Sequence, residues 1–244
     1  MEIIPLSEGT FTVDRTKEFL PFDKEKDILT DRPRGSLLVE VQPFAVRMDD
    51  EVILFDTGLG FSQDGEMQLH RNLKDHGILP EDITRVLLSH LHKDHSGGIL
   101  DKNNSKPAFA NATYYVGGRE FQNAMESNTA SYRRSDFETL SDSSQLSLLS
   151  EGGTITNNIH YELSGGHSPY HIVFWLKENG EIIFFGGDEA PQHQQMKNRF
   201  MAKYDHDGRK AMELRSRWWA QGKDEGWTFL FYHDIRNPFV KPLK

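Results

Sequence analysis

Four side chains able to bind a metal ion lie within six residues in the stretch Ser89-His90-Leu91-His92-Lys93-Asp94-His95-Ser96-Gly97-Gly98. This stretch follows an apolar run at 86–88, which predicts a buried strand. Histidines two residues apart at a strand end point the same way, because side-chain direction in a strand repeats every second residue. Asp94 and His95 fall beyond the strand, where a turning loop directs them to a second point nearby. Imidazole and carboxylate together predict a site for zinc or a related transition metal.

Composition narrows the class of protein. The 244 residues carry 28 Lys and Arg against 37 Asp and Glu, a net charge of −9, and no cysteine. An acidic chain has no broad attraction for nucleic acid, and without cysteine any metal is bound by nitrogen and oxygen. No apolar run reaches the length of a membrane span, and no signal peptide is visible at Met1. We therefore expect a cytoplasmic protein with neither a membrane nor a nucleic-acid partner.

The rest of the chain predicts one domain over residues 1–244, built from two similar β-rich halves. Strands are predicted at 3–4, 10–13, 36–41, 44–47, 51–58, 86–88, 112–116, 171–176, 182–187 and 227–232. Helices are predicted at 64–76 and 207–222, and exposed loops at 23–34 and 101–107. The polar, serine-rich stretch 119–152 predicts either a lid over the site or a partly ordered surface insertion. Trp218, Trp219 and Phe239 suit either the core or a homodimer interface.

Three further candidate ligands stand at predicted strand ends. His167 comes directly before the strand at 171–176, Asp188 directly after the strand at 182–187, and His233 at the end of the last strand. Each alone is more simply interpreted as a hydrogen-bonded loop residue. Together with the 89–98 stretch they favour a single metal centre.

These blocks, with Asp56-Thr57-Gly58 ahead of them, resemble the metallo-β-lactamase fold superfamily of hydrolases from about residue 37 to residue 233. The resemblance implies an α/β (α+β) fold, a four-layer αβ/βα sandwich with the site at one edge of two facing sheets. It also implies two divalent metal ions, zinc ahead of manganese, iron or cobalt. The implied ligands are His90, His92 and His167 for one ion and Asp94, His95 and His233 for the other, with Asp188 bridging both. Asp56 either orients a ligand histidine or forms the turn before Gly58.

Residues 203–234 resemble the branch that contains quorum-quenching lactonases and organophosphate hydrolases. The commonest zinc β-lactamases carry a cysteine at the position of Asp188, and a bridging carboxylate instead favours two closely spaced metals. The flavodiiron branch has Glu at the position of His92, which disfavours that branch. The lactonases have a catalytic tyrosine three residues after the bridging aspartate, where this chain has Pro191, and this departure speaks against acyl-homoserine lactones in particular. Tyr170 replaces a usual glycine and either donates a hydrogen bond in the pocket or packs.

The implied mechanism is hydrolytic. Metal coordination lowers the pKa of water to roughly 7, so the resemblance implies a metal-bridging hydroxide that attacks a small ester, lactone or phosphoester. Asp94 and Asp188 are the candidate catalytic residues, and Asp188 would orient the hydroxide and carry a proton to the leaving group. Glu189 and His193 are weaker general-acid candidates.

Three other functions remain open on the same fold. The first is a mononuclear iron oxygenase of the persulfide dioxygenase type, which the full set of seven ligands disfavours. The second is a nuclease-like phosphodiesterase, which the acidic charge disfavours. The third is a metal-binding module without catalysis.

Overall fold

The computed structural model describes residues 1–103 and 105–243. The strands before residue 120 are β1 (Glu2–Pro5), β2 (Gly9–Val13), β3 (Phe19–Pro21), β4 (Leu37–Val41), β5 (Phe44–Arg47), β6 (Val52–Phe55), β7 (Ser62–Gln63), β8 (Glu66–Met67), β9 (Ile83–Leu87), β10 (Leu100–Asp101), β11 (Lys106–Pro107) and β12 (Thr113–Gly117). The later strands are β13 (Leu146–Leu149), β14 (Gly152–Thr156), β15 (Ile159–Leu163), β16 (Ile172–Glu178), β17 (Glu181–Phe185), β18 (Thr228–Leu230) and β19 (Phe239–Val240).

Helices connect these strands. The α-helices are α1 (Gln68–Asp75), α2 (Lys93–Ser96), α3 (Gly118–Glu126), α4 (His193–Lys197) and α5 (Gly208–Glu225). Short 3₁₀ turns occur at Leu29–Asp31, Pro80–Asp82, Arg134–Asp136, Glu138–Asp142 and Gly187–Glu189. In the described part of the chain no helix has the length and apolar character needed to cross a membrane.

Two six-stranded sheets form the centre of the molecule. The first has the order β1-β5-β6-β9-β12-β13, and β6, β9, β12 and β13 run parallel. The second has the order β14-β15-β16-β17-β18-β19 and is antiparallel except for the parallel pair β17 and β18. A three-stranded sheet, β3-β2-β4, lies beside them. Parallel strands end at the same edge of a sheet, so each large sheet gathers several strand ends at one edge.

Apolar side chains on both faces of the strands explain why the sheets are stacked. In β6, Phe55 belongs to the core between the sheets, whereas the preceding Leu54 belongs to the core under α1 and α3. In β17, Phe185 faces the first sheet and stacks on Phe55 with ring centroids 4.6 Å apart, whereas Phe184 faces α5. Strands that are apolar on both faces must be covered on both faces. The molecule thus has four layers: helices, the first sheet, the second sheet and α5. One apolar core fills each of the three spaces between them, which confirms the predicted four-layer sandwich.

The boundaries of several elements differ from the sequence predictions. The helix predicted at 64–76 begins only at Gln68, because Asp64 and Gly65 have left-handed backbones (φ 54° and 80°) and form the turn between β7 and β8. The loop predicted at 101–107 includes the paired strands β10 and β11. Helix α5 runs three residues past the predicted end at 222 and stops at Gly226, whose φ of 76° breaks the helix.

The segment 119–152 contributes to the first layer. Phe121 on α3, together with Phe137 and Leu140, packs in the core under the first sheet, and β13 extends that sheet beside β12. Residues 131–133 extend to the edge where the strands end, and Ser131 accepts a hydrogen bond from the Lys93 backbone there. Trp218 is 1% exposed and packs between α5 and the second sheet.

The Phe184→Ala variant tests the layer under α5. Phe184 is fully buried and contacts the rings of Trp175, Trp218, Trp227 and Phe229 at centroid distances of 5.0–5.7 Å. Removing a buried phenyl ring costs about 3–5 kcal/mol of unfolding free energy. Phe239→Ala, at a phenylalanine 42% exposed on the edge strand β19, is the matched control and should cost far less in urea denaturation. Equal losses in the two variants would contradict this account of the core.

Candidate metal centre

The first sheet supplies one side of the centre. Asp56 follows β6 and His90 follows β9, and these two strands are parallel neighbours, so their ends meet at one edge. Beyond His90 the chain forms the single helical turn α2, which carries Asp94 and His95 inward, both buried. The ring centroids of His90 and His95 lie 4.2 Å apart. The 89–98 stretch therefore directs candidate ligands to one point both from the end of β9 and from the helical turn α2.

The second sheet supplies the opposite side. Asp188 lies in the 3₁₀ turn after β17, and His233 lies three residues beyond the end of β18, which is parallel to β17. His167 precedes β16, which runs antiparallel to β17, so the beginning of β16 and the end of β17 share an edge. The backbone N–H of His233 donates to the carbonyl of Pro191 at 3.0 Å, which ties the last two loops together.

The structure brings all seven predicted ligands together. They form two clusters whose candidate ligand atoms lie within 4.8 Å of one another: His90, His92, His167 and Asp188 in one, and Asp94, His95 and His233 in the other. Asp188 contacts both. Its Oδ2 is 3.3 Å from His167 Nε2, and its Oδ1 is 2.9 Å from His233 Nε2 and 3.2 Å from His95 Nε2. The seven side chains thus make a continuous group rather than two separate ones.

Hydrogen bonds at Nδ1 assign the tautomers of four histidines. Acceptors lie beside Nδ1 in each case: Ser89 Oγ for His90 (3.0 Å), Asp56 Oδ2 for His95 (2.7 Å), Asp205 Oδ1 for His167 (3.0 Å) and the Glu40 carbonyl for His233 (2.6 Å). A proton on Nδ1 leaves the lone pair on Nε2, which is the arrangement that metal-binding histidines use. His92 presents its Nδ1 instead, 3.2 Å from His167 Nε2.

The donor set fits divalent metal ions. His90 Nε2 is buried and has no hydrogen-bond partner among residues 1–103 and 105–243, and the buried Asp188 Oδ1 faces the ring nitrogens of His95 and His233. Leaving a buried polar atom without a partner costs about 1–3 kcal/mol. Metal ions would satisfy these atoms at once, and the nitrogen and oxygen donors suit zinc, manganese, iron or cobalt.

Asp56 both forms the turn after β6 and contacts a ligand histidine, so the two interpretations left open by the sequence hold together. Its backbone is left-handed (φ 52°), as a turn residue requires. Its Oδ1 accepts from the Ser89 N–H at 2.7 Å, and its Oδ2 accepts from the Ser89 hydroxyl and faces His95 Nδ1. One carboxylate thereby fixes the turn before His90 and the ring of His95.

Two buried glutamates hold the loops that carry ligands. Glu189 accepts from the Ser164 hydroxyl and from the backbone N–H groups of Gly166 and His167 at 2.7–3.1 Å. The sequence suggested Glu189 as a weak general acid, but its side chain is fully buried under the His167 loop and does not line the cavity. Glu120 on α3 accepts from the Leu91 N–H at 3.0 Å, beside His92.

Asp205 was also missed as a site residue. Its carboxylate is 1% exposed and faces His167 Nδ1. Asp205 stands 38 residues from His167, within the stretch 203–234 that resembles the lactonase and organophosphate hydrolase branch. No local sequence pattern links Asp205 to His167. His171 was missed as well: it is fully buried, and its Nε2 accepts from the Asp188 N–H at 3.2 Å.

Opposing charges set the pKa values across the centre. Burial lowers the pKa of His92 to about 3, with the neighbouring His167 as the second cause. At His233, burial acts in the same direction, but the carboxylates of Asp188 and Asp94 outweigh it and raise its pKa to about 10. Burial raises the pKa of Asp94, yet His95 and His233 together bring it down to about 2. Where no metal is bound, the carboxylates of Asp94 and Asp188 thus favour the protonated form of His233, and His233 and His95 favour the ionised form of Asp94.

A cavity of about 270 Å³ opens onto the centre. His92, Asp94, His167, Asp188 and His233 form its floor. Its walls come from the three-stranded sheet, from Ser131 and from the segment 191–204.

Three residues that the sequence singled out have distinct positions. Pro191, at the position where the resemblance to the lactonases implied a tyrosine, lines the cavity. Tyr170 lies outside this cavity and packs under the guanidinium of Arg119, 4.4 Å from the ring centroid, which decides for packing. His193 does not line the cavity either, and its ring packs on Trp219 and Phe231.

Comparison with known proteins places the chain in a family. The model of the metallo-beta-lactamase superfamily matches residues 39–228. The chain therefore belongs to the metallo-β-lactamase superfamily, as its motifs predicted.

Two curated fungal proteins match part of the chain. Thioesterase pkgB of Emericella nidulans is 31% identical over 141 residues, and lactamase-like protein notP of Aspergillus sp. is 27% identical over 155 residues. The matches cover 58% and 62% of this chain but only 33% and 40% of those proteins. The chain thus corresponds to less than half the length of these relatives.

Solved structures share the fold over the whole chain. A probable metal-dependent hydrolase from Staphylococcus aureus superimposes with a TM-score of 0.82 at 23% identity, covering 98% of this chain and 91% of that one. Hydrolase AbOPH of the β-lactamase superfamily gives 0.77 at 24% identity, covering 99% and 90%. The dizinc quorum-quenching lactonase AidC gives 0.73 at 19% identity, also covering 99% and 90%. The fold matches that of the branch which residues 203–234 resemble.

The Asp205→Asn variant tests how His167 is oriented. The amide keeps the shape of the side chain but removes the charge that faces His167 Nδ1. Loss of such an outer partner weakens metal affinity by roughly 10- to 100-fold. Competition with a chromophoric chelator measures the affinity, and Asp224→Asn, at an exposed position on α5, is the control. An unchanged affinity in Asp205→Asn would show that His167 needs no such partner.

Metal binding is expected to release protons. In the metal-free fold the pKa of His233 is about 10, against 6.5 for an unperturbed histidine. This proton stabilises the metal-free fold fully below pH 6.5, and the contribution is lost as the pH rises towards 10. A ligand histidine must be neutral, so zinc binding at pH 7.5 must displace the proton. Calorimetric titrations in two buffers that differ in ionisation enthalpy and bind zinc weakly, PIPES and HEPES, measure the release, and His233→Gln should reduce it; equal release by both proteins would contradict the prediction.

Proposed function

We propose that this protein is a metal-dependent hydrolase that uses two divalent metal ions, zinc foremost, to cleave a small carboxylic ester, lactone or thioester. The observation that carries the proposal is the position of Asp188. Its two oxygens lie between His167 on one side and His95 and His233 on the other, so a single carboxylate serves both clusters. A bridging carboxylate is typical of two-metal hydrolytic sites.

The residues divide the work as follows. His90, His92, His167 and Asp188 would hold one ion, and Asp94, His95, His233 and Asp188 the other. When bound, the two ions supply Lewis acidity and make water acidic enough to ionise near neutral pH. Asp188 and Asp94 line the cavity, where the Asp188 carboxylate would orient the attacking water and help carry its proton to the leaving group. Asp94, also on the floor of the cavity, fixes the position of His233 Nε2 at 3.4 Å.

Two observations favour a substrate with an acyl group: the apolar walls of the cavity and the names of similar proteins. The walls include apolar side chains from β2, β3 and β4, which suit the hydrocarbon part of an ester. One curated relative is a thioesterase and one structural relative is a lactonase, and both names denote attack on a carbonyl carbon. Pro191 in place of the lactonase tyrosine favours esters or thioesters over acyl-homoserine lactones.

The competing functions fit less well. A mononuclear iron oxygenase needs no second cluster, whereas Asp94, His95 and His233 are all buried and converge here. A nuclease needs an open groove for a strand, whereas this centre lies at the bottom of a cavity of about 270 Å³. One iron per chain, or cleavage of nucleic acid, would restore those alternatives.

His92→Ala and Asp188→Ala test the proposal directly. Each removes a candidate ligand, so each should lower kcat/KM by more than the roughly 10- to 100-fold that loss of an outer hydrogen-bond partner costs. The fold should persist, because neither side chain belongs to an apolar core. His76→Ala, at an exposed histidine after α1, is the control.

The assay is a panel of aryl esters, thioesters, lactones and phosphotriesters, with metal content measured on the same samples. Near-normal turnover by either ligand variant would overturn the assignment of the centre. No turnover of any substrate by fully metal-loaded protein would favour a metal-binding module without catalysis.

A further inference from the structure

Three cations line the cavity beside the metal centre. Lys17, Arg32 and Lys93 contribute to its wall, each partly buried. Within residues 1–103 and 105–243 none of the three forms an ion pair with a carboxylate. Arg32 donates only to the carbonyls of Leu29 and Ser36, at 3.2 and 3.5 Å. The chain as a whole has nine more acidic than basic side chains, whereas this cavity has three cations beside the two carboxylates of Asp94 and Asp188, so its wall is more basic than the chain average.

The three cations belong to different parts of the chain. Lys17 stands in the turn between β2 and β3, Arg32 in the connection between β3 and β4, and Lys93 at the start of α2. Bringing like charges together at a cavity costs free energy, which an anionic ligand would recover.

A row of apolar side chains lines the same cavity as these cations. Val13 of β2 pairs with Phe19 of β3 on one side and with Leu37 of β4 on the other, so the three residues stand side by side across the small sheet. All three line the cavity. Phe19 is partly buried and Leu37 is 42% exposed, so this row still has apolar surface to cover.

We propose that the substrate of this centre carries an anionic group, a carboxylate or a phosphate, on an apolar chain that ends at the scissile ester. The apolar chain lies along Val13, Phe19 and Leu37, and the anion pairs with Lys17 and Arg32. This inference rests on the proposed hydrolase function and names its substrate class. It assigns the small sheet β3-β2-β4 to substrate selection, separate from the sheets that carry the ligands.

The test compares esters that differ only in terminal charge. The probes are mono-4-nitrophenyl adipate, its neutral methyl ester, and a 4-nitrophenyl hexanoate that ends in a phosphate monoester. The metal-loaded protein should prefer the anionic esters in kcat/KM by about five- to tenfold, the range for a partly desolvated charge pair. Higher salt should reduce this preference. The third probe distinguishes phosphate from carboxylate as the better anion.

Variants separate the cations from the metal ions as the source of the preference. In Lys17→Gln and Arg32→Gln the ratio of anionic to neutral kcat/KM should fall towards one. Lys223→Gln, at an exposed lysine near the end of α5, should leave the ratio unchanged. Turnover of the neutral ester with no preference, or a preference that survives in both variants, overturns the inference while the hydrolase function stands. Absence of turnover with all three esters overturns the function and the inference together.

Discussion

The centre depends first on a buried carboxylate, Asp56, that has exchanged water for protein partners. Its side chain is fully buried, and burial raises its pKa while His95 and the N–H and hydroxyl of Ser89 oppose that rise. A charge in a dry interior is tolerated only where several donors surround it. Those donors are also the groups that turn the chain after β9 and orient the His95 ring. The same contacts therefore satisfy the Asp56 carboxylate and position the first half of the centre.

The two halves of the molecule repeat this arrangement with different residues. In the first half Glu120 on α3 accepts from the Leu91 N–H beside His92, and in the second half Glu189, after β17, accepts from the N–H groups of Gly166 and His167. Each glutamate keeps one oxygen, Glu120 Oε2 and Glu189 Oε1, without a partner within residues 1–103 and 105–243. Glu189 directly follows the candidate ligand Asp188 in the sequence, whereas Glu120 is far from every candidate ligand. The loops that carry the candidate ligands have few of the backbone hydrogen bonds that strands make with their neighbours. The buried glutamate oxygens accept from their N–H groups instead.

The sequence predicted most strands and pointed to all seven clustered side chains, because both leave local signals, and the family resemblance of these motifs implied the sandwich. Apolar strands show in runs such as 51–58 and 86–88, which contain or overlap β6 and β9, and candidate ligands follow such runs closely. The partners that orient the ligands leave no such signal. Asp205 reaches His167 across 38 residues and Glu120 reaches Leu91 across 29, and such contacts exist only after the sheets have stacked. The predicted helix begins too early, at 64 instead of Gln68: its helical spacing starts only at Met67, whereas Asp64 and Gly65 have the left-handed backbones of the turn between β7 and β8.

Chemistry and selectivity come from different parts of this fold. The ligands stand at the ends of strands in the two large sheets, where the register of parallel neighbours fixes their positions. The cavity walls come from the small sheet, from Ser131 and from residues 191–204, which are outside that register. The only phenol among the cavity-lining residues described here is Tyr204, before α5, which accepts from Gln195 at 3.4 Å and keeps its own proton available. Burial raises the pKa of Tyr204 to about 12, so that proton is retained at neutral pH. Pro191, which follows β17, has no donor to offer, so in this cavity the phenol that can donate a hydrogen bond comes from the loop before α5.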